Sequence, residues 1–159
     1  MIKVNVIALG RLKEKYLVSA CDEYIKRLKG YCNLEITELE PVKLPEKPSH
    51  SEIEKALSRE AEMISAKIPK SSRVVAMCIE GKQLSSEELA EKIESASAMG
   101  QGMTFIIGSS HGLSDEIKRR ADVRLSVSKM TFPHQLFRVM LLEQIYRGFK
   151  INEGAMYHK

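Results

Sequence analysis

The chain has 159 residues, 43% hydrophobic and 29% charged, with 25 Lys and Arg against 21 Asp and Glu and a net charge of +4 at neutral pH. That length suits a single domain with a sizeable core, and the composition argues against intrinsic disorder. No apolar run approaches the roughly 20 residues of a membrane helix, and the opening MIKVNVIALG enters a strand pattern rather than a cleavable signal, so a cytoplasmic location is expected.

Residues 2–9 (IKVNVIAL) form a short β-prone run ending at Gly10, which predicts a first strand. From about Lys13 to Leu28, Tyr16, Leu17, Ala20, Tyr24, Ile25 and Leu28 recur every three or four residues, the spacing of an amphipathic helix that stops near Gly30. Asn33 to Leu39 alternates and predicts a second strand. Pro41, Pro45 and Pro48 then hold the chain in a loop, since each denies a ladder donor and pushes its predecessor to an extended shape. A capping box, either Ser49 with Glu52 or Ser51 with Glu54, opens a strongly charged helix to about Ile68, with Ala56, Leu57, Ala61, Ile64 and Ile68 as its apolar stripe.

The run RVVAMCI (73–79) is apolar throughout, as a strand covered on both faces should be. Glu80, Gly81 and Lys82 read as a turn, and Ser85 with Glu88 caps a helix to about Met99. Gly100 and Gly102 bracket its exit into MTFII (103–107), a second fully buried strand. The loop Gly108–Gly112 follows, then a short helix capped by Ser114 whose Asp115 and Glu116 suit its positive end. Val123 to Val127 reads as a fifth strand, and a long helix begins at Pro133.

Strands alternating with helices predict an α/β fold, a mostly parallel sheet of five to six strands covered by helices on both faces, in a single domain spanning 1–159. Ligands of such sheets sit beyond the carboxyl ends of the strands. The candidate site is therefore three loops: Glu80–Leu84, Gly108–Leu113 and Val127–Phe132.

Several chemistries lack their residues. No GxGxxG follows the first strand, and no GxxxxGK[ST] occurs. Cys21, Cys32 and Cys78 lack CxxC spacing and read as small buried hydrophobes in a reducing compartment. His50, His111, His134 and His158 are scattered, so no structural metal is expected. GSSHG (108–112) fits the GxSxG pattern of a hydrolase with Ser110 as nucleophile, but the later partners it needs reduce to His134 at a helix start and His158 near the end. Glycines at 108 and 112 suit close approach of backbone to a flat ligand or another loop. Loops rich in small residues, without an acid pair or metal set, suit chemistry in which an activated cofactor reacts and the protein orients and desolvates. Methyl transfer from a sulfonium fits that description.

The last helix carries apolar residues around most of its circumference, and Arg138 emerges between Leu141, Leu142 and Ile145. Two readings stand: a stem on the core with its head snorkelling to water, or a guanidinium aimed at an anion between the sheet and a second subunit. Basic residues cluster at Arg11, Lys13 and Lys15, at Lys118, Arg119 and Arg120, and at Lys150 with Lys159. Each suits a solvated face; together they suit a nucleic acid partner.

The run SKMTFPHQ (128–135), continued by FRVMLLEQIYRGFK and closed by YHK, resembles the RlmH family, bacterial SPOUT-class methyltransferases that act on N3 of a pseudouridine in 23S ribosomal RNA. ALGRLKEKY (8–16) is similar to that family's opening, and the similarity spans essentially the whole chain. The resemblance implies a C-terminal trefoil knot, an exception to the rule that chains avoid knots, and a homodimer. The modest basic clusters, without an appended RNA-binding domain, then lead to the expectation that it acts on the assembled ribosome. It also implies S-adenosylmethionine as cofactor, held by Met77, Gly108, Val127, Ser128, Lys129, Met130, Thr131 and Phe132. Arg138, Tyr157 and His158 are the implied catalytic candidates, with the tail of one subunit completing the site of the other. The chain departs from the family at Ser109 and His111 in the cofactor loop, and at Glu153 and Ala155 in the tail. A knotted RNA-binding dimer with altered catalysis, and a Ser110 hydrolase, are the alternative readings.

Overall fold

A computed structural model describes residues 1–158; Lys159 lies outside the described residues. The elements are β1 (Ile2–Leu9), α1 (Lys15–Leu28), β2 (Cys32–Leu39), α2 (His50–Ser65), β3 (Ser72–Gln83), α3 (Ser86–Ala98), β4 (Gly102–Ile107), α4 (Asp115–Arg120), β5 (Val123–Ser126) and α5 (His134–Asn152). The five strands form one sheet in the order β2-β1-β4-β3-β5, and every neighbouring pair is parallel.

Alternation along the strands sorts the core to the two faces. Val4, Val6 and Ala8 of β1 join Val75 and Met77 of β3 and Met103 and Phe105 of β4 beneath Cys21 and Leu28 of α1, Ile93 of α3 and Leu141, Leu142 and Ile145 of α5. Ile7, Leu9, Val74, Ala76 and Ile106 point the other way, against Ala61 and Ile64 of α2 and Ile117 of α4. The sheet is thus buried on both sides, which explains why RVVAMCI and MTFII carry no polar alternation.

Local signals set most boundaries. Ser49, not Ser51, caps α2: its hydroxyl accepts from Glu52 N at 3.1 Å while Glu52 Oε1 accepts from Ser49 N at 3.2 Å. Ser85 and Glu88 make the same reciprocal pair before α3, and Ser114 accepts from Ile117 N before α4. Pro133 serves as the N-cap of α5 rather than its first helical residue, and α2 ends at Ser65.

The turn expected at Glu80–Lys82 does not form. β3 continues to Gln83, pairing Met77 with Leu125 before the irregularity and Lys82 with Leu125 after it. The intervening residues bulge, and Gly81 is what lets them approach β5: a Cβ there would lie 2.8 Å from the Arg124 carbonyl. The bulge displaces Cys78, Ile79 and Glu80 from the ladder towards the carboxyl edge of the sheet.

Candidate functional site

Beyond the carboxyl ends of β3, β4 and β5 lies a cavity of about 340 Å³, within the size range of small-ligand pockets. Its walls are the β3 bulge (Met77–Glu80), the loop after β4 (Gly108 and Ser110–Leu113) and the segment between β5 and α5 (Ser126–Ser128 and Met130–Phe132), with His134 and Phe137 of α5 closing one side. These are the three strand-end loops that topology selects.

Each loop is held by its own short-range contacts. Gly108 sits where a Cβ would come within 2.4 Å of the Gly112 carbonyl oxygen, and Gly112 has φ +83°, so both positions demand glycine. Gly112 N donates to Ser109 O at 2.8 Å and closes the turn. After β5, Ser126 Oγ donates to Ser128 O at 2.9 Å and Met130 N donates to Ser128 Oγ at 3.0 Å, so two serines replace the ladder that β5 has left. Backbone groups and apolar side chains (Met77, Ile107, Leu113, Leu125, Phe132, Phe137) make most of the surface. Charge is confined to the mouth, where Lys118 pairs with Glu80 and holds its carboxyl below the usual carboxylate range.

Of the cofactor residues implied by resemblance, Met77, Gly108, Val127, Ser128, Met130, Thr131 and Phe132 line this cavity. Lys129 lies between lining residues but is exposed and points no part of itself into the wall. Cys78, expected as a buried hydrophobe, is half-buried and lines the cavity, with its thiol pKa pushed up by burial; Cys21 and Cys32 are buried as expected.

The catalytic candidates are not in this cavity. Arg138 is only 5% exposed, and its guanidinium is taken up by its own chain: Nη1 meets Glu38 Oε2 at 2.5 Å and Nη2 donates to Gly10 O at 3.1 Å. Glu38 Oε2 also accepts from Leu12 N at 3.3 Å. The anion before Arg138 is therefore a carboxylate at the end of β2, and the pair pins α5 to the carboxyl edge of the sheet next to the cavity. Tyr157 OH donates to Glu143 Oε2 at 2.8 Å and its ring meets Tyr146 edge-on at 5.1 Å. His158 contacts Glu87 Oε1 through Nε2 at 2.6 Å and receives Arg147 Nη1 at Nδ1 at 3.2 Å. The tail is thereby folded back onto the start of α3 and the middle of α5, where Glu143 and Arg147 follow the cavity-lining Phe137 by about 9 and 15 Å of helix. Glu153 faces Tyr31 and Lys150, whose contacts depress its carboxyl pKa.

Ser110, the hydrolase candidate, is exposed, and among the described residues it makes no hydrogen bond to a histidine. Among those residues no group of three His, Cys, Asp or Glu gathers as a metal site, and no helix is long and apolar enough to cross a membrane. Glu60 was invisible in the charged pattern of α2, yet it is 4% exposed and accepts from Ser109 Oγ in the loop after β4. Its spacing of four from Ala56 and from Ile64, which places it on the apolar stripe, was the available signal.

Residues 2–158 match the family described as "Predicted SPOUT methyltransferase". The chain belongs to the SPOUT methyltransferase family. It is 50% identical over 159 residues to the ribosomal RNA large subunit methyltransferase H of Clostridioides difficile (strain 630), covering 99% of this chain and 100% of that protein. It is 49% identical, with the same coverage, to ribosomal RNA large subunit methyltransferase H 1 of Clostridium perfringens (strain SM101 / Type A). Among solved structures it is similar in fold to a probable methylase family protein from Haemophilus influenzae Rd KW20, with a TM-score of 0.55 and 16% identity over 100% of this chain and 72% of that one. The cavity at the ends of β3, β4 and β5, shaped by its glycine-dependent loops, is the candidate site of this family member.

Proposed function

We propose that this SPOUT methyltransferase transfers the methyl group of S-adenosylmethionine to N3 of a pseudouridine in 23S ribosomal RNA. The observation that carries the proposal is the backbone-lined cavity at the carboxyl ends of β3, β4 and β5, in a chain about half identical to large-subunit rRNA methyltransferases. Its fit to the cofactor is chemical: an apolar slot suits a flat adenine, exposed peptide groups suit its ring nitrogens and the ribose, and Gly108 lets the loop after β4 close against its own Gly112 to form that wall. Met77, Gly108, Val127, Ser128, Met130, Thr131 and Phe132 would hold it, with Lys129 exposed beside them, in a C-terminal segment threaded as a trefoil knot.

When bound, the cofactor supplies a methyl group already activated on a sulfonium. The protein contributes orientation and exclusion of water. The imide nitrogen of the acceptor must lose its proton to attack, so a cation or base has to stand near it.

The protein acts as a homodimer, cytoplasmic, on the assembled ribosome. Ile79, Val127, Met130 and Leu136 are exposed around the cavity, an apolar rim that suits a second copy. Tyr157 and His158 do not line their own cavity and are held by Glu143, Arg147 and Glu87, so they serve the partner's site, while Arg138 anchors α5 beside the cavity of its own chain. A dimer mixing one Arg138→Ala chain with one tail-truncated chain then retains one intact site; a mixed dimer as inactive as both parents refutes the composite arrangement. Arg119, Arg120, Arg124, Arg11, Lys13 and Lys15 are exposed and offer phosphate contacts too few for tight binding of free RNA, hence activity on ribosomes and little on naked transcript. Mass spectrometry of 23S rRNA from cells with and without the gene tests the function: one methylated pseudouridine should disappear with the gene, and identical modification in both would overturn the proposal.

A further inference from the structure

The loop Gly108–Gly112 is a thin partition. On one side is the cavity described above; on the other is a second cavity of about 360 Å³ walled by Pro41, Val42, Leu44, Pro45 and Ile53, and Ser110 and His111 line both. A strip of main chain with empty space on either side is poorly held by packing, because its rear face has few partner atoms. Its own turn bond from Gly112 N to Ser109 O sets its shape, and fixing its position needs an anchor outside the loop.

That anchor is a buried carboxylate. Glu60 Oε1 accepts from Ser109 Oγ at 2.9 Å, and Glu60 Oε2 accepts from Val42 N at 2.9 Å. Glu60 is itself immobile, 4% exposed on a helical face shared with the buried Ala56, Ala61 and Ile64. Both oxygens are therefore committed, one to the proline-rich segment between β2 and α2 and the other to the loop that walls the candidate cofactor site. Charge-assisted bonds of this kind are about twice as strong as neutral ones.

We infer that Glu60 is a positioning residue for the cofactor loop: through the Ser109 hydroxyl it holds Gly108–Gly112 at the spacing the ligand requires, and through Val42 N it ties that spacing to the proline-rich segment. The functional consequence rests on the reading of the cavity as the S-adenosylmethionine site; the mechanical one does not. Glu60 touches no reacting atom and acts through Ser109.

The test is a double-mutant cycle of Ser109→Ala and Glu60→Ala, with Glu60→Gln as the conservative variant. Amide hydrogen exchange of the protein alone reads the loop, and calorimetry with S-adenosylmethionine reads the site. Ser109→Ala removes a single oxygen and leaves the fold intact; exchange at Gly112 should accelerate about tenfold and cofactor affinity should fall several-fold, without a matching loss of thermal stability. Adding Glu60→Ala to Ser109→Ala should weaken the cofactor little further, since the link is already broken. Glu60→Gln should restore most of the affinity, because an amide can accept from Val42 N and donate to Ser109 Oγ. Unchanged exchange at 109–112 in Ser109→Ala, or losses of affinity that simply add across the cycle, would overturn the inference. A wild-type protein that binds no S-adenosylmethionine would refute the cofactor reading alone, and the exchange rates would then decide the tether.

Discussion

Adding one methyl group at residue 108 should separate the candidate site from the rest of the fold. A Cβ on Gly108 would lie 2.4 Å from the Gly112 carbonyl oxygen, 2.6 Å from its carbonyl carbon and 3.0 Å from Leu113 Cγ. Ordinary contact needs about 3.5 Å, so the loop must move by roughly 1 Å, and the obstacle is backbone with no rotamer to yield. Overpacking of this kind costs about 1–3 kcal/mol. In a domain of this size that corresponds to a fall of about 2–12 °C in Tm, which scanning calorimetry resolves. The site should suffer more than the fold, since an ångström of misplacement can cost about 10²-fold in rate. Gly108→Ala is thus expected to remain folded, to lose most S-adenosylmethionine affinity in a calorimetric titration and to lose methyl transfer with it. A variant with wild-type Tm and wild-type affinity would refute the reasoning, because the steric argument leaves no arrangement in which neither changes.

Three further outcomes follow from individual contacts. Arg138→Met should destabilise the protein by about 2–3 kcal/mol, below the 3–5 kcal/mol of a fully buried pair because the Glu38 side chain is 36% exposed; a urea midpoint lowered by about 1 M is the expected readout, and an unchanged midpoint would mean the pair is absent in solution. Lys118 depresses the Glu80 carboxyl, so its contribution is present above the ordinary carboxylate pKa of about 4.3 and is lost as pH falls through the lower folded value; Glu80→Gln should flatten the acid limb of the stability profile by under about 1 kcal/mol, given that Glu80 is largely exposed, and an unaltered limb would contradict this. Cys78 lines the cavity, whereas Cys32 is buried with its thiol pushed up to about 11, so alkylation at pH 8 should modify Cys78 first and be slowed there by S-adenosylmethionine; faster labelling of Cys32 would contradict the burial, and no protection of Cys78 would contradict the cofactor's place.

What could be read from residues alone was whatever local chemistry decides. Ser49, Ser85 and Ser114 announced three helices because a capping hydroxyl acts within three residues of itself. The strands of the core showed in uninterrupted apolar runs, and the loops after β4 and β5 were located by the end of those runs. Long-range partners were not legible. Glu80-Gly81-Lys82 has the composition of a turn, and only pairing with β5, more than forty residues later in the chain, makes it a bulge. Arg138 could be read as snorkelling to water or as aimed at an anion, and its partner Glu38, a hundred residues away on β2, decided between them. Ser109 looked like an intrusion into a glycine loop; its hydroxyl instead bonds Glu60, which the charged face of α2 concealed. Glu153 stood out only as a departure in the tail, and its contacts with Tyr31 and Lys150 of its own chain could not be read from its neighbours.

The central claim is that main chain at the carboxyl ends of β3, β4 and β5 receives the methyl donor. Amide chemical-shift mapping of the labelled protein during titration with S-adenosylmethionine addresses it most directly. Shifts should concentrate at residues 77–80, 108–113 and 126–132 and saturate together. Perturbations at the opposite edge of the sheet, around Lys3, Ser72 and Gln101, or none at all, would contradict the account.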